Sequence, residues 1–148
     1  MNKEALDYLK TQRVGVLAVE MLDGSPHAAT VHFANSGDTF VFETDRDYRK
    51  CEPLFGREVT RASFVVGSNE EDMQTLQLDG EARILSAADS ALKEMYLTKF
   101  PEKRAKAEGE KVVFFTFTPT WWRFTDWTRP EGKTIFTSDG QVVVVGKS

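Results

Sequence analysis

The chain has 148 residues, 41% of them apolar and 28% charged, ordinary globular proportions that exclude a disordered, collagen-like or coiled-coil protein. Nineteen Lys and Arg against 23 Asp and Glu leave a net charge of −4, which argues against a broad nucleic-acid footprint but leaves room for a local basic cluster. One cysteine, Cys51, excludes an internal disulfide framework and a Cys-based zinc site, and no apolar run approaches the roughly 18 residues of a membrane span.

The N-terminus has no signal-peptide core, so a cytoplasmic protein is expected, folded as one domain over residues 1–148. Ala5, Leu6 and Leu9 stand at helical spacing and predict a short helix over residues 2–11. Three runs rich in β-branched and aromatic residues follow, at 14–21, 27–34 and 39–44. Asp23-Gly24 and Ser36-Gly37 separate them, and glycine's tolerance of positive φ suits tight hairpins, so the runs read as an antiparallel meander. Asp45 to Lys50 read as a charged loop before a short helix at Cys51, and residues 60–67 as a fourth strand. Residues 76–84 alternate, with Leu76, Leu78, Ala82 and Ile84 on a core face and Gln77, Asp79, Glu81 and Arg83 on a wet one. Ser86 and Asp89 match a capping box, and Ala88, Leu92, Met95, Tyr96 and Lys99 predict a helix over about 87–99 that stops before Pro101. The run 103–111 reads as a solvated loop, residues 111–118 and 121–127 as two strands joined at Pro119, and 141–146 as a last strand. Strands joined by hairpins, without alternating βα units, point to a mainly β (α+β) fold: an antiparallel barrel or sandwich with two or three short helices.

The sequence holds no nucleophile elbow, Walker loop, dinucleotide fingerprint or His-Glu-x-x-His motif. Cys51 reads as a buried small hydrophobe. The distinctive feature is a set of cationic and hydroxyl residues at strand ends: His27, His32, Thr44, Arg46, Arg49 and Lys50. An anionic phosphate at a barrel mouth needs two or three charge-assisted donors, and Arg49 with Lys50 supplies a planar fork and a point charge. On composition alone, a solvated turn whose charges cancel is the plainer reading of this segment.

The order Asp23-Gly24-Ser25-Pro26-His27, the strand through Phe33, Phe40 to Thr44, Arg49-Lys50, then Leu78-Asp79-Gly80-Glu81-Ala82-Arg83 resembles the pyridoxamine 5'-phosphate oxidase-like family of FMN-binding split β-barrels. The resemblance covers roughly residues 5–127. It implies a homodimer with an FMN in each of two clefts between subunits. It also implies a redox role on an unidentified small molecule, with deazaflavin or haem as alternative cofactors and a non-catalytic store, sensor or stress factor as an alternative role. Carried over residue by residue, the family's phosphate clamp falls on Tyr48, Arg49 and Lys50, and its aromatic-Thr pair on Glu43 and Thr44. A strand's flavin-contacting Arg and Lys fall on His27 and His32, and a flavin-contacting Gln falls on Thr75. Two largely neutral histidines replace fixed positive charge. Five apart on a regular strand, they point to opposite faces, so without a bulge only one faces a cofactor. The oxidase's Arg-x-x-x-Arg segment is not recognisable, so pyridoxamine phosphate turnover is not expected. Trp121, Trp122 and Trp127 exceed what one strand face needs for packing and read first as a dimer contact, with monomer core or ligand stacking as alternatives.

Overall fold

The structure is a computed structural model that describes residues 1–67 and 69–146. Helix α1 (Lys3–Lys10) is capped by Asn2, whose side chain accepts from the Ala5 N–H, and it buries Ala5, Tyr8 and Leu9. The meander forms β1 (Val14–Glu20), β2 (Pro26–Ser36) and β3 (Thr39–Asp45). Its first turn closes because the Asp23 carboxylate accepts from the Ser25 N–H at 2.9 Å and hydroxyl at 2.6 Å, and Gly24 takes φ 85°. A short α2 (Cys51–Gly56), β4 (Thr60–Val66) and β5 (Gln74–Ile84) follow, then α3 (Ser90–Lys99), α4 (Arg104–Ala107), β6 (Val112–Asp126), β7 (Lys133–Thr137) and β8 (Val142–Val145).

Six strands in the order β3-β2-β1-β4-β5-β6 close into an antiparallel barrel, because β6 pairs with β3 as well as β5; β7 and β8 extend the sheet from β6. The two-residue side-chain period fills the barrel with aromatics. Phe64 is at the centre, its ring centroid 5.4 Å from Phe33, 5.5 Å from Phe40, 5.1 Å from Phe42 and 6.2 Å from Phe117. A second cluster lies outside the barrel, where Tyr96, Leu97 and Phe100 at the end of α3 cover Ala34, Val41 and Phe114 on β2, β3 and β6. Among the described residues, no helix is long and apolar enough to cross a membrane.

Five expectations change. Ile84, expected on the core face of β5, is 36% exposed at the end of that strand, past the last inward residue Ala82. The two strands expected around Pro119 are one, since β6 runs through it: Pro119 lies opposite Gly80, Trp121 opposite Asp79, and Thr120 is the extra residue of a bulge. The bulge absorbs the missing proline N–H and flips the side-chain parity, so the inward residues are Phe115 and Phe117 before it and Phe124 after it. The helix expected from 87 starts with a 3₁₀ turn, Ala87–Asp89, with the Ser86 hydroxyl accepting from the Ala88 N–H at 3.2 Å. The run read as a solvated loop contains a second 3₁₀ turn, Pro101–Lys103, and α4. Strand β7 was not expected. Gly80→Ala drives a methyl group into the Thr118 carbonyl oxygen at the bulge. It lowers stability by about 1–3 kcal/mol, read as a shifted denaturant midpoint with an unchanged slope.

Candidate functional site

Strand β2 pairs with β1 in one unbroken register from Pro26 opposite Glu20 to His32 opposite Val14. With no bulge, His27 shares the parity of the core residues Val31 and Phe33, while His32 faces outward with Thr30 and Ala34. The outer surface of β2 and β3 is covered by the end of α3 over Ala34 and Val41, and beyond that cover it opens into a recess of about 170 Å³. Thr30, His32, Glu43, Thr44, Lys50, Lys103 and Lys106 line it.

The turn after β3 builds one wall. The Tyr48 N–H donates to the Asp45 carbonyl and the Cys51 N–H to the Tyr48 carbonyl, folding the chain back so that Lys50 turns inward at the start of α2. Lys50 is only 6% exposed, and its ammonium lies 4.5 Å from the centroid of the Tyr48 ring. No carboxylate pairs with it among the described residues. Burial holds its pKa below the ordinary lysine value, against weaker opposing pulls from Cys51, Asp45 and Glu43. Thr44 also lines the recess; it is 5% exposed, and its hydroxyl oxygen has no partner among the described residues.

The opposite wall comes from the turn after α3. Lys103 Nζ donates to Glu43 Oε2 at 3.2 Å and Tyr96 Oη at 3.0 Å, and lies 3.1 Å from His32 Nδ1. Lys106 Nζ pairs with Asp45 Oδ1 at 2.7 Å and holds that carboxyl below its usual range. Three ammonium groups thus face two carboxylates, and the uncompensated charge is that of Lys50. Burial, then the Tyr96 phenol's proximity to Glu43, pushes that phenol well above its ordinary range, so it stays protonated.

Of the residues singled out from the sequence, His32, Glu43, Thr44 and Lys50 meet in this recess. Arg49 is exposed and outside it; its charge lowers Asp23, whose carboxyl is held down first by the Ser25 hydroxyl and backbone N–H. Arg46 donates to the Glu110 carbonyl at 3.3 Å. Thr75 lies elsewhere, its hydroxyl donating to the Val66 carbonyl at 3.2 Å, in a separate recess of about 400 Å³ with Met73, Gln74 and Trp127. Trp121 and Trp127 are 37% and 40% exposed, while Trp122 packs on the barrel core. Sequence reasoning missed Lys103 and Lys106 and used Tyr96 only as one of the spaced residues that predict α3. The signal was present: Tyr96, Lys99, Phe100 and Lys103 are spaced as one helical face.

His32 has its pKa lowered, first by burial and then by the charges of Lys103 and Arg13, against Glu102 and Glu43. A lowered native pKa means that the unfolded chain binds the proton more readily. Its contribution to stability is therefore complete above the ordinary value of 6.5 and is lost as pH falls below it. Unfolding midpoints of the parent and His32→Gln are expected to converge as pH is taken from 7.5 to 5.

The solved structures similar to this one share its barrel. The heme binding protein from Mycobacterium smegmatis superimposes with a TM-score of 0.71 at 15% identity over 87% of this chain, and this chain spans 53% of that one. Campylobacter jejuni ChuZ gives 0.75 at 10% identity over 97% of this chain and 61% of its own. A Clostridium acetobutylicum protein related to general stress protein 26 of B. subtilis, of the pyridoxinephosphate oxidase family, gives 0.66 at 18% identity, covering 92% of this chain and 93% of its own. No curated protein matches the sequence. The family model described as pyridoxamine 5'-phosphate oxidase matches residues 1–126, the span that holds the closed barrel and every residue of the recess. The chain belongs to the pyridoxamine 5'-phosphate oxidase family.

Proposed function

We propose that the chain binds FMN, with the flavin's phosphate in the recess between Lys50, Thr44 and Lys106, and that it serves as a flavin-dependent oxidoreductase for a small molecule. The observation that carries this reading is the pair formed by a buried ammonium without a counter-charge and a buried hydroxyl without a partner. Both groups are costly to leave unsatisfied, and one phosphate oxyanion satisfies both. When bound, FMN supplies two-electron redox chemistry, while the protein holds and orients it.

A recess of about 170 Å³ takes a phosphate but not a tricyclic ring, since pockets for ligands of that size run to roughly 300–1,000 Å³. The ring therefore lies beyond the recess, at a seam with a second copy of the chain. That copy's Thr75 recess, with Gln74 and Trp127, is the proposed ring-end contact. Light scattering is expected to give twice the mass of one chain, and a strict monomer would reject the seam.

Riboflavin, which lacks the phosphate, tests the assignment directly. Charge-assisted bonds contribute roughly 1.5–3 kcal/mol each, so FMN is expected to bind at least about tenfold more tightly than riboflavin in a fluorescence titration. Equal affinities would remove the phosphate from the recess. A deazaflavin with the same phosphate end would enter the same recess, and its absorbance spectrum distinguishes it from flavin. The second reading is haem binding, favoured by the fold shared with the M. smegmatis heme binding protein; a sharp Soret band rather than two broad flavin bands would support it.

A further inference from the structure

Lys103 makes three short contacts, and an ammonium has three donors and no acceptor. Glu43 Oε2 and Tyr96 Oη accept two of them. The third contact is with His32 Nδ1, and a nitrogen facing a group that only donates has to present its lone pair. In a neutral imidazole the proton then sits on the other nitrogen, Nε2, which no described residue engages. The ring is also fixed in orientation, edge-on to Phe100 with centroids 5.2 Å apart. Metal-ligating histidines need the reverse arrangement, with one nitrogen donating its N–H to a carboxylate or carbonyl so that the other is free to bind the ion.

We propose that Lys103 is a positioning residue that holds His32 in the Nε2–H tautomer, making His32 a neutral hydrogen-bond donor to an acceptor atom of the recess ligand and withholding it from iron. The donor role rests on the ligand reading given above; the tautomer does not. The groups facing the ring act in the same direction. Burial, Lys103 and Arg13 keep the imidazole neutral, against the weaker pulls of Glu102 and Glu43.

Two-bond proton–nitrogen correlation spectra of the ¹⁵N-labelled protein test the tautomer without any ligand. At neutral pH His32 is expected to show the Nε2–H pattern, with Nδ1 unprotonated. In Lys103→Met, which keeps the stem and removes the ammonium, Nδ1 gains a proton in part or in full and the His32 titration midpoint moves up toward 6.5. An Nδ1–H pattern in the parent, or an unchanged pattern in Lys103→Met, would overturn the proposal. Should Lys103→Met not fold, the parent spectrum alone decides. Haem titration adds a second readout: His32→Ala is expected to leave any Soret band unmoved, and loss of that band would overturn the proposal. FMN titration of the same samples separates the two readings, because failure to bind FMN removes the ligand assignment and leaves the tautomer standing.

Discussion

On the proposed function, Lys50→Met is expected to weaken FMN binding by about 10- to 150-fold, the range for losing one charge-assisted hydrogen bond of roughly 1.5–3 kcal/mol, while Arg49→Ala is expected to change it less than about threefold. The contrast follows from geometry. Lys50 turns into the recess and is 6% exposed, whereas its neighbour Arg49 stays in solvent near Asp23. Methionine keeps most of the length of the lysine stem, so the substitution removes the ammonium that lies over the Tyr48 ring while leaving an apolar side chain in its place. Because burial depresses the Lys50 pKa, its charge destabilises the fold at neutral pH, and Lys50→Met is expected to unfold at the same temperature as the parent or a higher one. Weaker FMN binding with undiminished stability is the signature of a ligand residue. Equal losses in both variants would make the turn an unspecific basic patch.

Phe64→Ala lowers the unfolding free energy by about 3–5 kcal/mol, against a total of about 5–15 kcal/mol for a typical domain. The ring is fully buried, and four other phenylalanine rings lie around it from β2, β3 and β6. Those strands are held in a closed barrel and cannot collapse into the space left behind. Phe55 is 50% exposed on α2, and Phe55→Ala is expected to stay within about 1 kcal/mol of the parent. Urea unfolding followed by circular dichroism gives both numbers. A loss below about 1 kcal/mol for Phe64→Ala would show that the aromatic cluster does not organise the core.

The meander and the alternation of β5 from Leu76 to Ala82 were legible because a period of two and Asp-Gly turns are local signals, whereas Ile84, expected in the core, is exposed at the end of the strand. The course of β6 was not. A proline inside a strand is read as a break unless its partner is known, and that partner, Gly80, lies 39 residues earlier in the chain. The site divided in the same way. His32 on β2, Glu43 and Thr44 near the end of β3, and Lys50 in the turn after it were named from the sequence, together with His27, Arg49 and Thr75, which lie outside the recess. Lys103 and Lys106 were hidden because a run of alternating charges looks like any solvated segment. Only the packing of Phe100 and Tyr96 against β2 and β3 turns that segment toward the recess. The family resemblance supplied the barrel; it did not supply Lys103.

Strand β3 carries Glu43 and Thr44, and its far edge is hydrogen-bonded only by β6, with Glu43 opposite Phe114 and Thr44 opposite Val113. About seventy residues separate the two partners, a large loop to close before the pairing is gained. During synthesis the first three strands leave the ribosome as a hairpin ladder with two naked borders, that of β1 waiting for β4 and that of β3 waiting for residues 112–117 of β6. The recess is thus completed late, once α4 and the first half of β6 are made. A stall or premature stop before β6 leaves a sticky β-ribbon for chaperones and proteases to clear.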